Sequence, residues 1–257
     1  MQRRTFCALL PSLAAAADAP ANAFPAAQGW KPLFPAGSLA AWRPQDATRP
    51  NTWSSSTRVT LDPSDPTRLT AAPGSGPAPT PGPELWNSPT GKVTNIVTTE
   101  SFGDLELAIE FMVPKGSNSG IYLHGLYEIQ VFDSFGVTDL KTSDCGAIYH
   151  RWIDAKPVGG SAPKRNASLA PGQWQSFRAF FRAPRFDAQG RKTANARFLR
   201  VLLNGTLIQE NVEVEGGTRS HMPIPEAARN PIMIQGDHGP VAYRNLFVRP
   251  LRADDNR

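Results

Sequence analysis

Arg197-Phe198-Leu199-Arg200-Val201-Leu202-Leu203-Asn204-Gly205-Thr206-Leu207-Ile208-Gln209-Glu210-Asn211-Val212-Glu213-Val214 decides the fold class. Asn-Gly supplies the two positive-φ positions of a type I′ turn, whose twist suits antiparallel strands on either side. The stretch therefore predicts a hairpin turning at Asn204-Gly205. A period of two recurs outward from it. Leu105-Glu106-Leu107-Ala108-Ile109-Glu110-Phe111 alternates as a half-buried strand must, because successive side chains point to opposite faces. Ile121 to His124 and Tyr127 to Val131 read as two strands broken at Gly125. Ile232 to Gln235, a turn at Gly236 to Pro240, and Val241 to Val248 read as a final strand pair. Many short strands and almost no helical periodicity predict an all-β sandwich or barrel.

The chain has 257 residues, 40% of them hydrophobic and 19% charged, enough for one large domain with a real core. Its 21 glycines and 25 prolines stay below the level of a low-complexity chain. No apolar run reaches the ~18 residues of a membrane-spanning helix. At the N-terminus, Arg3 and Arg4, the apolar stretch Phe6 to Ala17, and Ala21-Asn22-Ala23 predict a signal peptide over residues 1–23 and export to the periplasm or beyond. Arg3-Arg4-Thr5-Phe6 also resembles a twin-arginine export signal. Cleavage leaves Cys145 as the only cysteine, expected to be a buried structural thiol beside Gly146 and Ala147. Residues 24–257 are expected to form one domain, since 24–70 hold too few strands for a core of their own. The Pro-rich segment 71–83 lacks ladder donors and is read as a loop within it. The net charge of +5 is spread along the chain without a Lys/Arg run or nucleic-acid motif, so it predicts a solvated basic surface and no nucleic-acid partner.

Polar and aromatic side chains that can meet a ligand concentrate between Tyr122 and Asn166. In Tyr127-Glu128-Ile129-Gln130-Val131-Phe132-Asp133, Glu128 and Gln130 share one face and Ile129 and Val131 the apolar one. A β-bulge near Phe132 would bring Asp133 onto the Glu128 face. Tyr122 and His124, on the preceding strand, are expected beside Glu128. Tyr149, Arg151 and Asn166 belong to the same stretch. Gln235-Gly236-Asp237-His238-Gly239 places a carboxylate beside an imidazole in a glycine-bracketed turn, a general-base pair or a metal half-site. Of the six tryptophans, most are expected in packing, with Trp86 and Trp152, beside polar loop residues, the candidates for ligand contact. Four histidines without His-x-His or His-Glu-x-x-His spacing make zinc improbable. The chain carries no Gly-x-Ser-x-Gly elbow, phosphate loop or dinucleotide fingerprint, which sets aside serine hydrolases, kinases and dehydrogenases.

An ordered series of blocks then carries a resemblance. Gly29-Trp30-Lys31-Pro32-Leu33-Phe34, Phe102-Gly103-Asp104-Leu105-Glu106-Leu107, Asn118-Ser119-Gly120-Ile121-Tyr122-Leu123-His124-Gly125 and Tyr127 to Asp133 are followed by Cys145-Gly146-Ala147-Ile148-Tyr149, Asn166-Ala167, Pro171-Gly172-Gln173-Trp174, Leu203-Asn204-Gly205 and Gln235 to Val241. Together they resemble the bacterial 3-keto-disaccharide hydrolase family from about Gly29 to Leu251. The resemblance implies a concanavalin A-like jelly roll of two curved antiparallel sheets with a groove on the concave side. It also implies action on small glycosides already oxidised at C3, as a 3-keto-glucoside 1,2-lyase and 3-keto-2-hydroxyglucal hydratase. The Pro-rich segment Pro73 to Pro83 and the segment Pro184 to Ala196 look like insertions into that pattern.

A C3 ketone acidifies the C2 proton, so such a reaction needs a base, an acid for the leaving oxygen, and donors or a cation for the enolate. Glu128 or His238 is expected as base, Asp133 or Asp237 as its partner or as a ligand to Ca²⁺, Mg²⁺ or Mn²⁺, and Gln130, Tyr122 and Gln235 as hydroxyl binders. The residues do not require a metal. Two rivals are a laminarinase-type glucanase, whose bulged strand Glu128-x-Gln130-x-x-Asp133 outlines, and a lectin-like carbohydrate-binding domain.

Overall fold

A computed structural model describes residues 29–72 and 82–256. The expected signal peptide at 1–23 and most of the Pro-rich segment 71–83 lie outside the described residues. Asn204 and Gly205 adopt φ of 51° and 78°, and Leu203 faces Thr206 across them, so Ala196–Leu203 and Thr206–Val214 form the two-residue hairpin that Asn-Gly dictates.

This hairpin is one edge of an eight-stranded antiparallel sheet. From it the order runs through Gln175–Arg182, Leu105–Met112, Ala242–Pro250, Glu84–Trp86 and Ser54–Ser56, with Lys31–Pro32 also paired to Ala242–Pro250. A second sheet of five strands runs Tyr127–Phe132, Asn118–Leu123, Asn230–Ile234, Ile96–Phe102 and Trp42–Pro44. Alternate residues of the two sheets meet between them. Ile121, Leu123, Ile129, Val131, Ile232 and Ile234 pack with Leu105, Leu107, Ile109, Phe111, Phe177, Phe181 and Phe198 in one core. Each such fully buried side chain stabilises the fold by ~1.5–3 kcal/mol relative to exposure. The molecule is thus an all-β jelly-roll sandwich. Among the described residues no helix is long and apolar enough to cross a membrane.

The Leu105–Met112 strand differs from the half-buried reading, being buried at every position. On its outward face Glu106 is paired by Arg178 and Arg249, and Glu110 by Arg244. Arginine stems from neighbouring strands cover that face, so alternating polarity there marks buried ion pairs rather than solvent. Trp86 lies on this outer side too, packed with Val59, Leu69, Met112 and Ala242. It is on the opposite sheet from Glu128, and the expectation of Trp86 as a ligand contact is corrected to one of packing. Cys145 is buried, its thiol pushed up to about 12 by desolvation, and it behaves as an apolar packing group.

Candidate active site

The five-stranded sheet turns Tyr122, Glu128 and Gln130 away from the core. Tyr127–Phe132 and Asn118–Leu123 pair without a register shift, so Glu128 stands directly opposite Tyr122 and Gln130 opposite Gly120. That opposition leaves no room for a side chain at 120, where a Cβ would overlap Glu128 Oε1. Gly120→Ala is therefore expected to push the carboxyl out of place, and a misplacement of about 1 Å costs roughly 10²-fold in rate. Comparing kcat with the melting temperature checks this, with kcat falling far more than stability accounts for.

Asn230–Ile234 continues the sheet on the other side of Asn118–Leu123, and Gln235 N donates to Gly120 O at 2.9 Å. The chain then turns through Gly236 and presents Asp237 and His238 at the same end. A further segment closes the site from above. Thr218 N donates to Leu126 O, Arg219 N to His150 O and Met222 N to Gly125 O, at 2.8, 2.9 and 2.9 Å. Met222 packs against Tyr122, Met233 and Val97, and this small apolar cluster fixes where Arg219 and Ser220 project.

The resulting cleft has a cavity volume of about 180 Å³ and is lined by Asn118, Tyr122, Glu128, Gln130, Tyr149, Arg219, Ser220, Gln235 and His238. Glu128 is buried, and desolvation raises its pKa to about 8, with a hydrogen bond from the Tyr122 hydroxyl pulling the other way. Burial thus favours its protonated, neutral form. His238 Nδ1 lies 2.6 Å from Asp237 Oδ1, and Arg49 Nη1 donates to the other Asp237 oxygen at 3.2 Å. Burial works against the Asp237 carboxylate, but the His238 and Arg49 contacts outweigh it and keep its pKa below the ordinary value. The Asp237 hydrogen bond raises the His238 pKa, against burial and the nearby Arg219 and Arg49. With Nδ1 on Asp237, the other ring nitrogen is left for proton transfer. Two buried acceptors, Asn118 Oδ1 and Gln130 Oε1, have no protein partner among the described residues and suit ligand hydroxyls.

Sequence reasoning and structure part at several positions. Asp133 is not on the Glu128 face, because the expected bulge is absent. Its Oδ2 accepts from Gly116 N at 2.9 Å, which makes it a turn residue and removes it as a partner to Glu128. His124 adopts φ of 56° in the hairpin loop, which breaks strand alternation. Its ring packs 5.1 Å from Phe181 and its Nε2 lies 3.2 Å from Gly103 O, so it serves the core rather than the cleft. Asn166 Nδ2 donates to Ser134 O and Val137 O at 2.6 and 2.9 Å, tying down a loop instead of lining the site. Arg151 is committed to Glu215 at 2.5 Å. Trp152 is exposed and lies beside Arg219.

Asn118, Arg219 and Ser220 line the cleft and were not among the sequence candidates. Asn118 was legible, because it falls on the even positions shared with Gly120 and Tyr122. Arg219 and Ser220 sit in an irregular segment with no period to read. Among the described residues no three His, Cys, Asp or Glu side chains converge on a common point. Asp133 and Asp237, the carboxylates expected as ligands to a divalent cation, do not converge with Glu128 on one point.

The sequence profile described as the 3-keto-alpha-glucoside-1,2-lyase-like domain matches residues 29–249. No curated protein matches significantly. Among solved structures, the chain is similar to a candidate glycosyl hydrolase from Parabacteroides distasonis ATCC 8503, at 24% identity and a TM-score of 0.58 over 87% of this chain and 84% of that one. A second candidate glycosyl hydrolase of the same organism matches at 19% identity and a TM-score of 0.52, over 86% of this chain and 99% of the other. At these identities the likeness establishes the shared fold.

Proposed function

From a chain that belongs to the 3-keto-alpha-glucoside-1,2-lyase-like family, a family of carbohydrate-active domains, we propose an enzyme that cleaves 3-keto-glycosides by β-elimination and rehydration. The observation that carries this reading is the pairing, in one cleft, of an acid kept protonated by burial with an imidazole oriented by a carboxylate. Those are the two proton-transfer groups that elimination needs, held in complementary states.

His238, aligned by Asp237, takes the C2 proton, and the C–H electron pair moves into the enolate at O3. The Arg219 guanidinium and the Tyr149 hydroxyl face that developing charge. Collapse of the enolate forms the C1–C2 double bond and breaks the bond from C1 to the leaving oxygen, which takes the Glu128 proton. The 3-keto-2-hydroxyglucal stays in the cleft. Glu128, now a carboxylate, removes a proton from water as its oxygen adds to C1. The His238 imidazolium returns a proton to C2, and both groups end as they began. Asn118, Gln130 and Gln235 hold sugar hydroxyls.

A retaining glucanase scheme needs a second carboxyl ~5–5.5 Å from the first. With Asp133 turned to Gly116 and Asp237 occupied by His238 and Arg49, the cleft offers, among the described residues, one free carboxyl, Glu128. Incubation with 3-keto-trehalose, trehalose and laminarin separates the readings. Consumption of 3-keto-trehalose alone is expected. Cleavage of laminarin would make the protein a glucanase, and binding without turnover would make it a lectin.

A further inference from the structure

One end of the cleft is closed and the other open. Along the Tyr127–Phe132 strand, Gln130 follows Glu128 on the same face, about 7 Å further on. Asn118 stands diagonally across from Gln130 on the neighbouring strand and shares that face. Gln130 is 2% and Gln235 5% exposed, whereas Arg219 and Ser220 are exposed and mark the mouth. Two tied segments wall the closed end. Ser117 Oγ donates to Pro240 O at 2.6 Å and Ser119 Oγ to Gln235 O at 2.7 Å, which holds the turn after Asn230–Ile234 against Asn118. On the other side, the loop 134–145 is fixed by Ser134 Oγ donating to Asp144 Oδ1 at 2.8 Å and Lys141 N donating to Asp144 Oδ2 at 2.7 Å.

One hydrogen bond sets the polarity of this end. Gln130 Nε2 donates to Ser143 O at 3.3 Å. A main-chain carbonyl only accepts, so the amide nitrogen must face the loop and the amide oxygen the other way. That Oε1 is buried without a partner among the described residues, and so is Asn118 Oδ1. A buried acceptor lacking a donor carries a cost that a ligand O–H removes. Among the described residues, the cations lining the cleft are Arg219 and His238, which the reaction above uses at the enolate and the C2 proton. The closed end therefore presents two unpaired acceptors and no cation.

We propose that Gln130 and Asn118 form a glycone pocket that selects a neutral sugar with free hydroxyls on the side of the ring away from C1, its 4- and 6-hydroxyls, and rejects a 6-carboxylate or a chain continued at either oxygen. This assignment rests on the reading of Glu128 as proton donor. With C1 held at Glu128 and the leaving group directed to the mouth, the far side of the same ring reaches the amides two residues along the strand. Each hydroxyl then gives its proton to an amide oxygen. A uronate would set a carboxylate against two acceptor oxygens in a buried place without a counter-charge, which is costly. The cleft volume of about 180 Å³ is below the ~300–1,000 Å³ that encloses drug-sized ligands, so this end has room for one ring and none for a chain.

Calorimetric titration of the full chain with methyl glucoside, its 4-deoxy and 6-deoxy analogues and methyl glucuronide tests the pocket without turnover. Each deoxy sugar is expected to bind about tenfold more weakly than methyl glucoside, and the glucuronide at least about 100-fold more weakly. Gln130→Leu, close in size but unable to accept, is expected to abolish the penalty for one deoxy sugar and keep the other. Equal binding of the four sugars by the wild-type chain, or no measurable binding of methyl glucoside, would overturn the pocket. So would a Gln130→Leu protein that keeps both penalties, and the wild-type series decides the matter if that variant fails to fold. If the expected pattern appears and no 3-keto-glucoside is consumed, the reaction reading alone fails. If 3-keto-glucosides are cleaved and the pattern is absent, the pocket alone fails.

Discussion

Glu128→Gln is expected to lower kcat and kcat/KM together by ~10²–10⁴-fold, the loss typical of a missing general acid or base. The amide keeps the shape of the buried side chain but cannot give a proton to the leaving oxygen. The same substitution is expected to stabilise the fold at neutral and alkaline pH. Glu128 has a folded pKa of about 8 against an ordinary 4.5, so the folded protein retains a proton that the unfolded chain releases. Below pH 4.5 both states are protonated and the group is tolerated. As pH rises from there towards about 8, ionisation favours the unfolded chain. The destabilisation reaches roughly 3–5 kcal/mol at high pH, at about 1.4 kcal/mol for each pKa unit. Thermal melts of both proteins from pH 5 to pH 8 should diverge, with the variant increasingly the more stable. A variant that melts below wild type at pH 8 would mean the burial of Glu128 is compensated by a charge the account omits.

His238→Ala is expected to cost a similar ~10²–10⁴-fold in kcat and to reshape the pH profile. Elimination needs His238 neutral and Glu128 protonated. Activity should therefore rise as the imidazole loses its proton, above its ordinary 6.5 because Asp237 holds the charged form, and fall above about 8 as Glu128 ionises. Removing the imidazole should abolish the rising limb and leave the falling one. Arg49 shares the Asp237 carboxylate and opposes protonation of His238, so Arg49→Gln should move the rising limb to higher pH while Asp237→Asn moves it lower. An unaltered rising limb in His238→Ala would assign the base elsewhere.

Local chemistry made much of this architecture legible. Asn204-Gly205 names its own turn because few other residue pairs adopt two consecutive positive φ values. Glu128, Gln130, Ile129 and Val131 sort onto two faces by the period of a strand alone, and Asp237-His238 stands out as neighbouring residues. Where the chain leaves regular backbone, the period stops carrying information. His124 sits one residue past its strand, and a left-handed φ sends its ring into the core. Asp133 lies just beyond Phe132, where the absence of a bulge sends its carboxylate to Gly116. Arg219 arrives on a segment held by Leu126, His150 and Gly125, long-range contacts with no sequence signature. Trp86 misled for another reason, since the outer face of the eight-stranded sheet is itself covered and a tryptophan beside polar residues there is packing.

The central claim is that the glycosidic bond breaks only after the C2–H bond does. Single-turnover cleavage of a 3-keto-glucoside carrying deuterium at C2, compared with its protiated form, tests that order directly. The account expects a primary isotope effect on formation of the unsaturated ketone, with free aglycone appearing at the same slowed rate. Equal rates for the two isotopologues, with aglycone released and no unsaturated ketone formed, would contradict it.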